Sequence, residues 1–286
     1  MTGPAGALWP YRFVGGVTSH LADAERYPNL TLEANTPIES IVPSGLSEHP
    51  FRVRTRRGEI DAQYIIHCTN GHAGHLLPGL RGKVYPMRGQ MTRQSAPAAF
   101  PRLGDQRSWI LHYSPGYDYM TQAPSPSGDI YIGGGLLRAL LSRDTPLEDA
   151  DVGNVRDDQQ SPGALKALET VIEERFRDGN GTAILDTWTG VMGFTVDDAP
   201  IIGKVPPSIS GRDVGLSNGG EWVAAGFCGH GMAYCWLTGK AVADMLLKGQ
   251  DSVKGWFPTE QYACSKERFQ NSNLVEALAA FLETVA

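Results

Sequence analysis

The sequence predicts an α/β or α+β fold, in which a mixed strand-and-helix unit is interrupted by an antiparallel sheet. Three observations carry that expectation. The run Tyr64-Ile65-Ile66 is apolar on both faces, as a buried central strand would be. Between Lys83 and Leu136, short segments rich in strand-forming residues alternate with Pro and Ser clusters. From Glu221 to Lys248 an apolar run passes through clustered glycines into a helical stretch. The chain has 286 residues, enough for one large domain or two smaller ones, each with its own core.

Taken in order, residues 1–10 are small and rich in Pro and Gly and read as loop. Phe13, Val17 and Leu21 stand four apart, with Val14 and Ala24 beside them, so an amphipathic helix is expected over 11–26 despite Gly15 and Gly16. Strands are expected at Leu30–Glu33, Phe51–Thr55 and Tyr64–Cys68, with a turn at Arg57-Gly58. The antiparallel region then offers Tyr85–Met91, Trp109–His112, Tyr117–Gln122 and Ile130–Gly133. Residues 140–160 are acidic and polar and read as a surface loop. Ser161-Pro162 supplies a cap and a proline at the first helical position. Leu165, Leu168, Ile172 and Phe176 form that helix's apolar face, and Gly179 is its expected stop. A strand follows at Ala183–Thr189 and another at Val223–Phe227. A helix over Gly231–Lys248 is closed by Gly249, and a last helix is expected over Leu274–Val285.

Composition narrows the function. Hydrophobic residues make up 41% and charged residues 20%, which is the balance of a soluble globular protein. The formal net charge of -6, with no extended basic run, argues against nucleic acid or an anionic membrane as the main partner. Charges at alternate positions in Arg52–Arg57 read as the solvated face of a strand. The four cysteines, Cys68, Cys228, Cys235 and Cys264, form no CxxC pair, which fits a reducing, cytoplasmic compartment. No 18-residue apolar run reads as a membrane span, and neither end carries a secretory or peroxisomal signal.

The sharpest chemical signal is the segment from Glu221 to Met232. It reads as strand, glycine turn and helix start. Gly226, Gly229 and Gly231 allow backbone to approach a flat ligand closely. The helix start offers unpaired N–H groups and a partial positive charge, an interaction of about 0.3–2 kcal/mol with developing negative charge. The competing reading is that the glycines only permit tight strand-to-helix packing.

With these residues in view, the chain resembles the D-amino-acid oxidase family of FAD-dependent oxidoreductases, which includes glycine and sarcosine oxidases. GFCGHGM at 226–232 is similar to the family's second flavin-binding segment. TPIESI at 36–41 is similar to the strand that passes the adenine, and HCTNGHAGHLLPGL at 67–80 to a flavin-side loop. YPMRGQM at 85–91 resembles the crossover into the substrate domain, and WTGVMGFTVDDAPIIG at 188–203 the loop before the final flavin segment. GALWPY at 6–11 resembles fungal members. The resemblance implies a partial FAD-binding domain at 1–84, an antiparallel-sheet substrate domain at 85–200, a return to the FAD domain at 201–250 and a tail at 251–286. It implies oxidation of a C–N bond in an amine or amino-acid-like small molecule.

The resemblance also implies the site residues. Thr36, Pro37, Ile38, Thr69, Asn70, Gly71, Gly226, Cys228, Gly229, His230, Gly231 and Met232 would bind the cofactor. His230 either polarises the flavin as a catalytic group or caps and packs the helix. Arg88, Tyr117, Tyr119 and Met192 would meet substrate, although Arg88 also reads as a structural ion pair and the tyrosines as good sheet residues. Tyr113 is a further pocket candidate. The cysteine that links flavin covalently in some relatives falls near Gly190, so non-covalent FAD is expected. The arginine that clamps the substrate carboxylate in D-amino-acid and glycine oxidases falls on Met192, and a thioether does not pair a carboxylate. The family opens with a strand–GxGxxG–helix unit that holds the pyrophosphate, and no GxGxxG occurs here. The alternative expectation is therefore a non-catalytic remnant, or a split half that needs a separate N-terminal FAD-binding partner, with a protein partner or self-association covering the missing half. His67, Cys68, His72 and His75 are spaced closely enough for a metal, but no carboxylate partner is evident and the resemblance assigns the stretch to the flavin, so no metal is expected.

Overall fold

The computed structural model describes residues 6–113, 116–124, 126–141, 151–177, 180–215, 219–270, 272, 274–277 and 279. Its strands are β1 (Ile38–Pro43), β2 (Phe51–Thr55), β3 (Gly58–Ala62), β4 (Tyr64–His67), β5 (Val84–Gln94), β6 (Ser108–His112), β7 (Tyr117–Gln122), β8 (Ile130–Gly134), β9 (Ile184–Thr195), β10 (Ile201–Lys204) and β11 (Gly220–Ala225). Its α-helices are α1 (Pro10–Leu21), α2 (Ala73–Leu76), α3 (Leu136–Leu141), α4 (Pro162–Glu169), α5 (Val171–Arg175), α6 (Pro207–Ser210), α7 (Gly231–Lys248) and α8 (Thr259–Tyr262).

Three sheets organise these elements. β1-β2-β3 is an antiparallel meander. The basic stretch on β2 and the turn after it is the solvated face expected, with Arg52 paired to Asp61 at 2.8 Å, Arg54 to Glu59 at 3.0 Å and Arg57 to Glu33. The second sheet runs β10-β11-β4, with β11 and β4 parallel. The third, β6-β7-β8-β5-β9, is antiparallel throughout and is inserted in the chain between β4 and β10.

β11 is apolar at nearly every position because both its faces are covered. Val223 and Ala225 pack with Leu77, Leu80 and Ile201. Trp222 and Ala224 pack with Ile202 and with Ala241, Val242 and Met245 of α7. One face of the five-stranded sheet carries Met120, Ile130 and Ile132 against Leu168 and Ile172. Among the described residues, no helix packs on the opposite face.

Several expectations are corrected. Leu30–Glu33 is not a strand, and the chain first pairs at Ile38. β4 is an edge strand, not a central one, with Tyr64 and Ile66 exposed. The expected 161–176 helix breaks at Thr170 into α4 and α5, although Ser161 does cap α4 by accepting from the Ala164 N–H. The helix expected over 11–26 forms as α1 but buries none of its residues. Gly179 and most of the 274–285 and 140–150 stretches lie outside the described residues. Among the described residues, no helix is long and apolar enough to cross a membrane.

Candidate functional site

The strand–turn–helix around Gly226 is the meeting point of three distant chain segments. β11 ends at Ala225, and the turn that follows needs left-handed backbone at Gly226 (φ 69°), Cys228 (φ 50°) and Gly229 (φ 78°). A side chain on Gly226 would lie 2.5 Å from the Thr195 methyl, so glycine is required there twice over. Asn70, itself left-handed at φ 44°, reaches across from the loop after β4. Its Oδ1 accepts from the Gly226 N–H at 3.0 Å and the Phe227 N–H at 3.3 Å. Asparagine is one of the few residues that tolerates this conformation while offering an acceptor. The end of β9 completes the junction, with the Gly193 carbonyl accepting from the Cys228 N–H at 2.8 Å. Here too only glycine fits: a Cβ on Gly193 would stand 2.5 Å from Asn70 Oδ1, and one on Gly71 would stand 2.8 Å from the Met192 carbonyl.

The expected cofactor residues therefore divide. Asn70, Gly71, Gly226, Cys228, Gly229 and, through the helix start, His230, Gly231 and Met232 form one backbone-walled cradle. Thr69 adjoins it and carries a buried hydroxyl with no hydrogen-bond partner among the described residues. Thr36, Pro37 and Ile38 lie apart at the start of β1, where Arg57 donates to Thr36 Oγ1 at 3.0 Å. α7 begins without a side-chain cap, so His230 does not cap it. The His230 ring instead meets Tyr234 edge-on at 6.3 Å. Cys228 is buried rather than exposed, and burial pushes its thiol up, so it is a packing residue and not a nucleophile. A cavity of about 130 Å³ behind the turn is lined by Asp198, Pro200, Cys228, His230, Tyr234 and Tyr262. That is well below the roughly 300–1,000 Å³ of a small-molecule site.

The expected substrate residues divide too. Met192 reaches the turn, its Sδ 3.9 Å from where Gly229 would carry a Cβ. Tyr117 and Tyr119 stand on the uncovered face of the five-stranded sheet, 49% and 40% exposed. Arg88 does not meet substrate. It is fully buried on the opposite face, donating to Asp151 at 2.7 Å and to the carbonyls of Arg156 and Gln159. Burial pushes the Asp151 carboxyl up, against the pull of Arg88. The arginine thus ties residues 151–159 to β5. Tyr113 is likewise engaged, with the guanidinium groups of Arg138 and Arg175 at 4.9 and 5.5 Å from its ring.

Two structural features have no local signal in the sequence. His67 does have a carboxylate partner: its Nε2 lies 2.9 Å from Glu221, which also accepts two bonds from Arg212. Burial pushes Glu221 up, but the bonds from His67 and Arg212 and the Arg212 charge together hold it below the usual range. Arg268, in the tail, donates in fork fashion to Asp197 at 2.6 and 2.9 Å and also to the Ala199 and Pro200 carbonyls. It fixes the loop that lines the small cavity. Among the described residues, no group of three or more His, Cys, Asp or Glu side chains is arranged to hold a metal.

The glycine turn at the end of the buried strand β11 thus leads into a helix start without a side-chain cap, on an α/β scaffold. The family model described as FAD dependent oxidoreductase matches residues 6–245, and the chain belongs to that family. The family's cofactor is FAD, and one feature here fits it: among the described residues the buried Thr69 hydroxyl has no hydrogen-bond partner. Among curated proteins none matches. The fold is that of glycine oxidase from Geobacillus kaustophilus, with a TM-score of 0.61 at 19% identity, covering 87% of this chain and 57% of that one. L-proline dehydrogenase from P. horikoshii gives 0.59 at 19%, covering 90% and 59%. A mutant of Amadoriase I from Aspergillus fumigatus gives 0.59 at 14%, covering 90% and 55%. The chain thus spans less than two-thirds of the length of these structures.

Proposed function

We propose that this chain carries the ring-binding and substrate-facing part of an FAD-dependent oxidoreductase that oxidises a C–N bond of an amine or amino-acid-like small molecule. The observation that carries this reading is the Asn70 bridge to the Gly226 and Phe227 N–H groups, which holds three segments in one glycine-walled cradle beside the start of α7. When bound, FAD supplies the two-electron acceptor. The chain's own residues do the rest. The N–H groups and dipole at the start of α7 favour negative charge developing beside them. Met192, standing between the cradle and the open sheet face, excludes water without offering charge. His230 stands at the helix start with its ring edge-on to Tyr234. With no cysteine at Gly190, the cofactor would be held without a covalent link. The substrate class of the glycine oxidase and amadoriase neighbours supports an amine-like substrate in general terms.

A second reading has its own observation. Paired residues of parallel strands share a face, so Tyr64 and Ile66 of β4 face the same side as Trp222 of β11. α7 covers Trp222 but leaves Tyr64 and Ile66 exposed, along with its own Met232, Tyr234, Trp236 and Leu237. α1 adds Trp9, Tyr11, Phe13 and Val14, and Phe13 meets Trp236 at 5.6 Å. A parallel edge strand beside so much bare apolar surface favours a further polypeptide unit, on the same chain or another, that pairs with β4 and completes the FAD site.

The test is a visible absorption spectrum of the purified chain before and after adding FAD. Structured flavin bands retained through gel filtration support the first reading. A colourless protein that takes up no FAD sinks activity by this chain alone and leaves the second.

A further inference from the structure

The uncovered face of the five-stranded sheet can be read row by row from its register. One row is Ile110, Tyr119, Gly133, Met91 and Trp188, directly opposite one another on β6, β7, β8, β5 and β9. Residues paired across an antiparallel sheet point to the same side, so these five share the open face. Gly133 is what lets the row lie flat: a Cβ there would meet the Tyr119 ring and the Met91 sulfur, both at 2.3 Å. Tyr131, from the neighbouring row, meets Trp188 edge-on at 6.2 Å and steadies its ring. Trp188 is still 41% exposed, Tyr119 40% and Ile110 62%.

Toward the cradle the next pair is Gly89 opposite Gly190. Two facing glycines leave a notch in the sheet surface. Nothing lies within 4 Å of a Cβ built on Gly190, whereas the one on Gly89 would meet the Met192 methyl at 2.9 Å. Trp188 and Met91 stand on one side of the notch and Met192 on the other. Met192 is the side chain that also reaches Gly229, so the notch opens beside the cradle.

The charge on this face is specific. Arg88, Gln90 and Thr92 point to the opposite, covered side and are buried there. Arg93 shares the open face but faces two carboxylates, Asp186 at 3.2 Å and Asp129 at 3.9 Å. Among the described residues, Arg93 on this face is thus already set against two carboxylates, while a protonated amine would find aromatic faces and one carboxylate more than the guanidinium.

We propose that the Gly89–Gly190 notch, with Trp188, Met91, Met192 and Tyr119 around it, binds the organic group of an arylalkyl amine that carries no carboxylate. Its role as a substrate site rests on the C–N oxidation reading above; binding itself does not. The experiment titrates the full chain with N-methylphenethylamine and with N-methylphenylalanine, which adds only a carboxylate, using calorimetry without cofactor. Gly190→Val is the paired variant, because open space at that position lets the side chain fill the notch without disturbing the fold. The expected result is binding of the plain amine, at least about tenfold weaker binding of the acid, and at least about tenfold loss in Gly190→Val at an unchanged urea midpoint. Equal binding to Gly190→Val, or tighter binding of the carboxylate compound, overturns the proposal. So does a wild-type dimer that Gly190→Val dissociates, since the face would then cover a second copy. Retained FAD uptake with no amine binding removes this inference alone. Amine binding sensitive to Gly190→Val without FAD uptake keeps it and removes independent oxidation.

Discussion

Asn70→Ala removes the one acceptor that joins the loop after β4 to the turn after β11. Two donors, the Gly226 and Phe227 N–H groups, lose their partner. A buried unpaired donor costs about 1–3 kcal/mol. Both sites are partly open, so water recovers some of this, and about 2 kcal/mol for the pair is the expected loss. Alanine must also hold the left-handed φ of 44° that asparagine tolerates, which adds roughly 1–2 kcal/mol. The total of about 3–4 kcal/mol, divided by a urea slope of about 3 kcal/mol/M, lowers the unfolding midpoint by ~1 M. The assay is urea unfolding followed by tryptophan fluorescence, run with Asn70→Gly and Asn70→Asp beside Asn70→Ala. Glycine removes the strain but not the loss of the acceptor, so its midpoint falls between wild type and alanine. Aspartate keeps the acceptor and stays near wild type. If Asn70→Gly unfolds with wild type, the bonds contribute nothing and the bridge is not what holds the cradle.

Two further perturbations follow from buried charge. Glu221→Gln leaves Arg212 buried without a carboxylate and destabilises by about 3–5 kcal/mol at pH 7. Because the folded Glu221 carboxyl lies below its ordinary range, the stability it contributes is complete above about pH 4.3 and fades as pH falls through the folded value; the gap in urea midpoint between wild type and variant should narrow as pH falls below the ordinary carboxylate range, and a constant gap contradicts the assignment. Arg268→Ala releases the Asp197–Pro200 loop and the tail together, read as about tenfold faster amide exchange at Ala199, with unaltered exchange there showing that the fork to Asp197 is ornamental.

The parts of the fold legible in the sequence are those governed by neighbours in the chain. Alternation placed β6, β7 and β8 within a residue or so, and Ser161-Pro162 placed the start of α4. The glycine turn and the beginning of α7 were legible for the same reason. What failed depends on partners far along the chain. Tyr64-Ile65-Ile66 carries the composition of a central strand, yet only β11 pairs with it here, and composition does not count neighbours. Arg88 has the same sequence context whether it faces substrate or Asp151, and a 63-residue separation decides between them. Arg268 lies 71 residues from Asp197, and nothing around it marks a clamp. Gly193 was inside a recognised segment, but its role appears only once Asn70 is seen 2.5 Å from the place its Cβ would take.

The cradle and the sheet face divide the work in different chemical terms. Around Asn70 and Gly226 the specificity lies in backbone: glycines where a Cβ would collide, and N–H groups held by a single amide oxygen. Such a surface accepts any planar group that reaches it and discriminates little, as suits a cofactor common to a whole family. On the open sheet the side chains differ in kind: Trp188, Tyr119, Met91 and Met192 around two glycines, with the nearest guanidinium, Arg93, already facing Asp186. That surface discriminates by shape and charge. Met192 belongs to both, touching the Gly89 notch on one side and the Gly229 turn on the other. Substitutions at Met192 and at Gly190 should therefore both shift ligand preference, with the larger change in cofactor environment at Met192, which reaches the Gly229 turn. Comparing the amine affinities and flavin spectra of Met192→Ala and Gly190→Val tests that division, and identical effects from the two would show that notch and cradle are one undivided pocket.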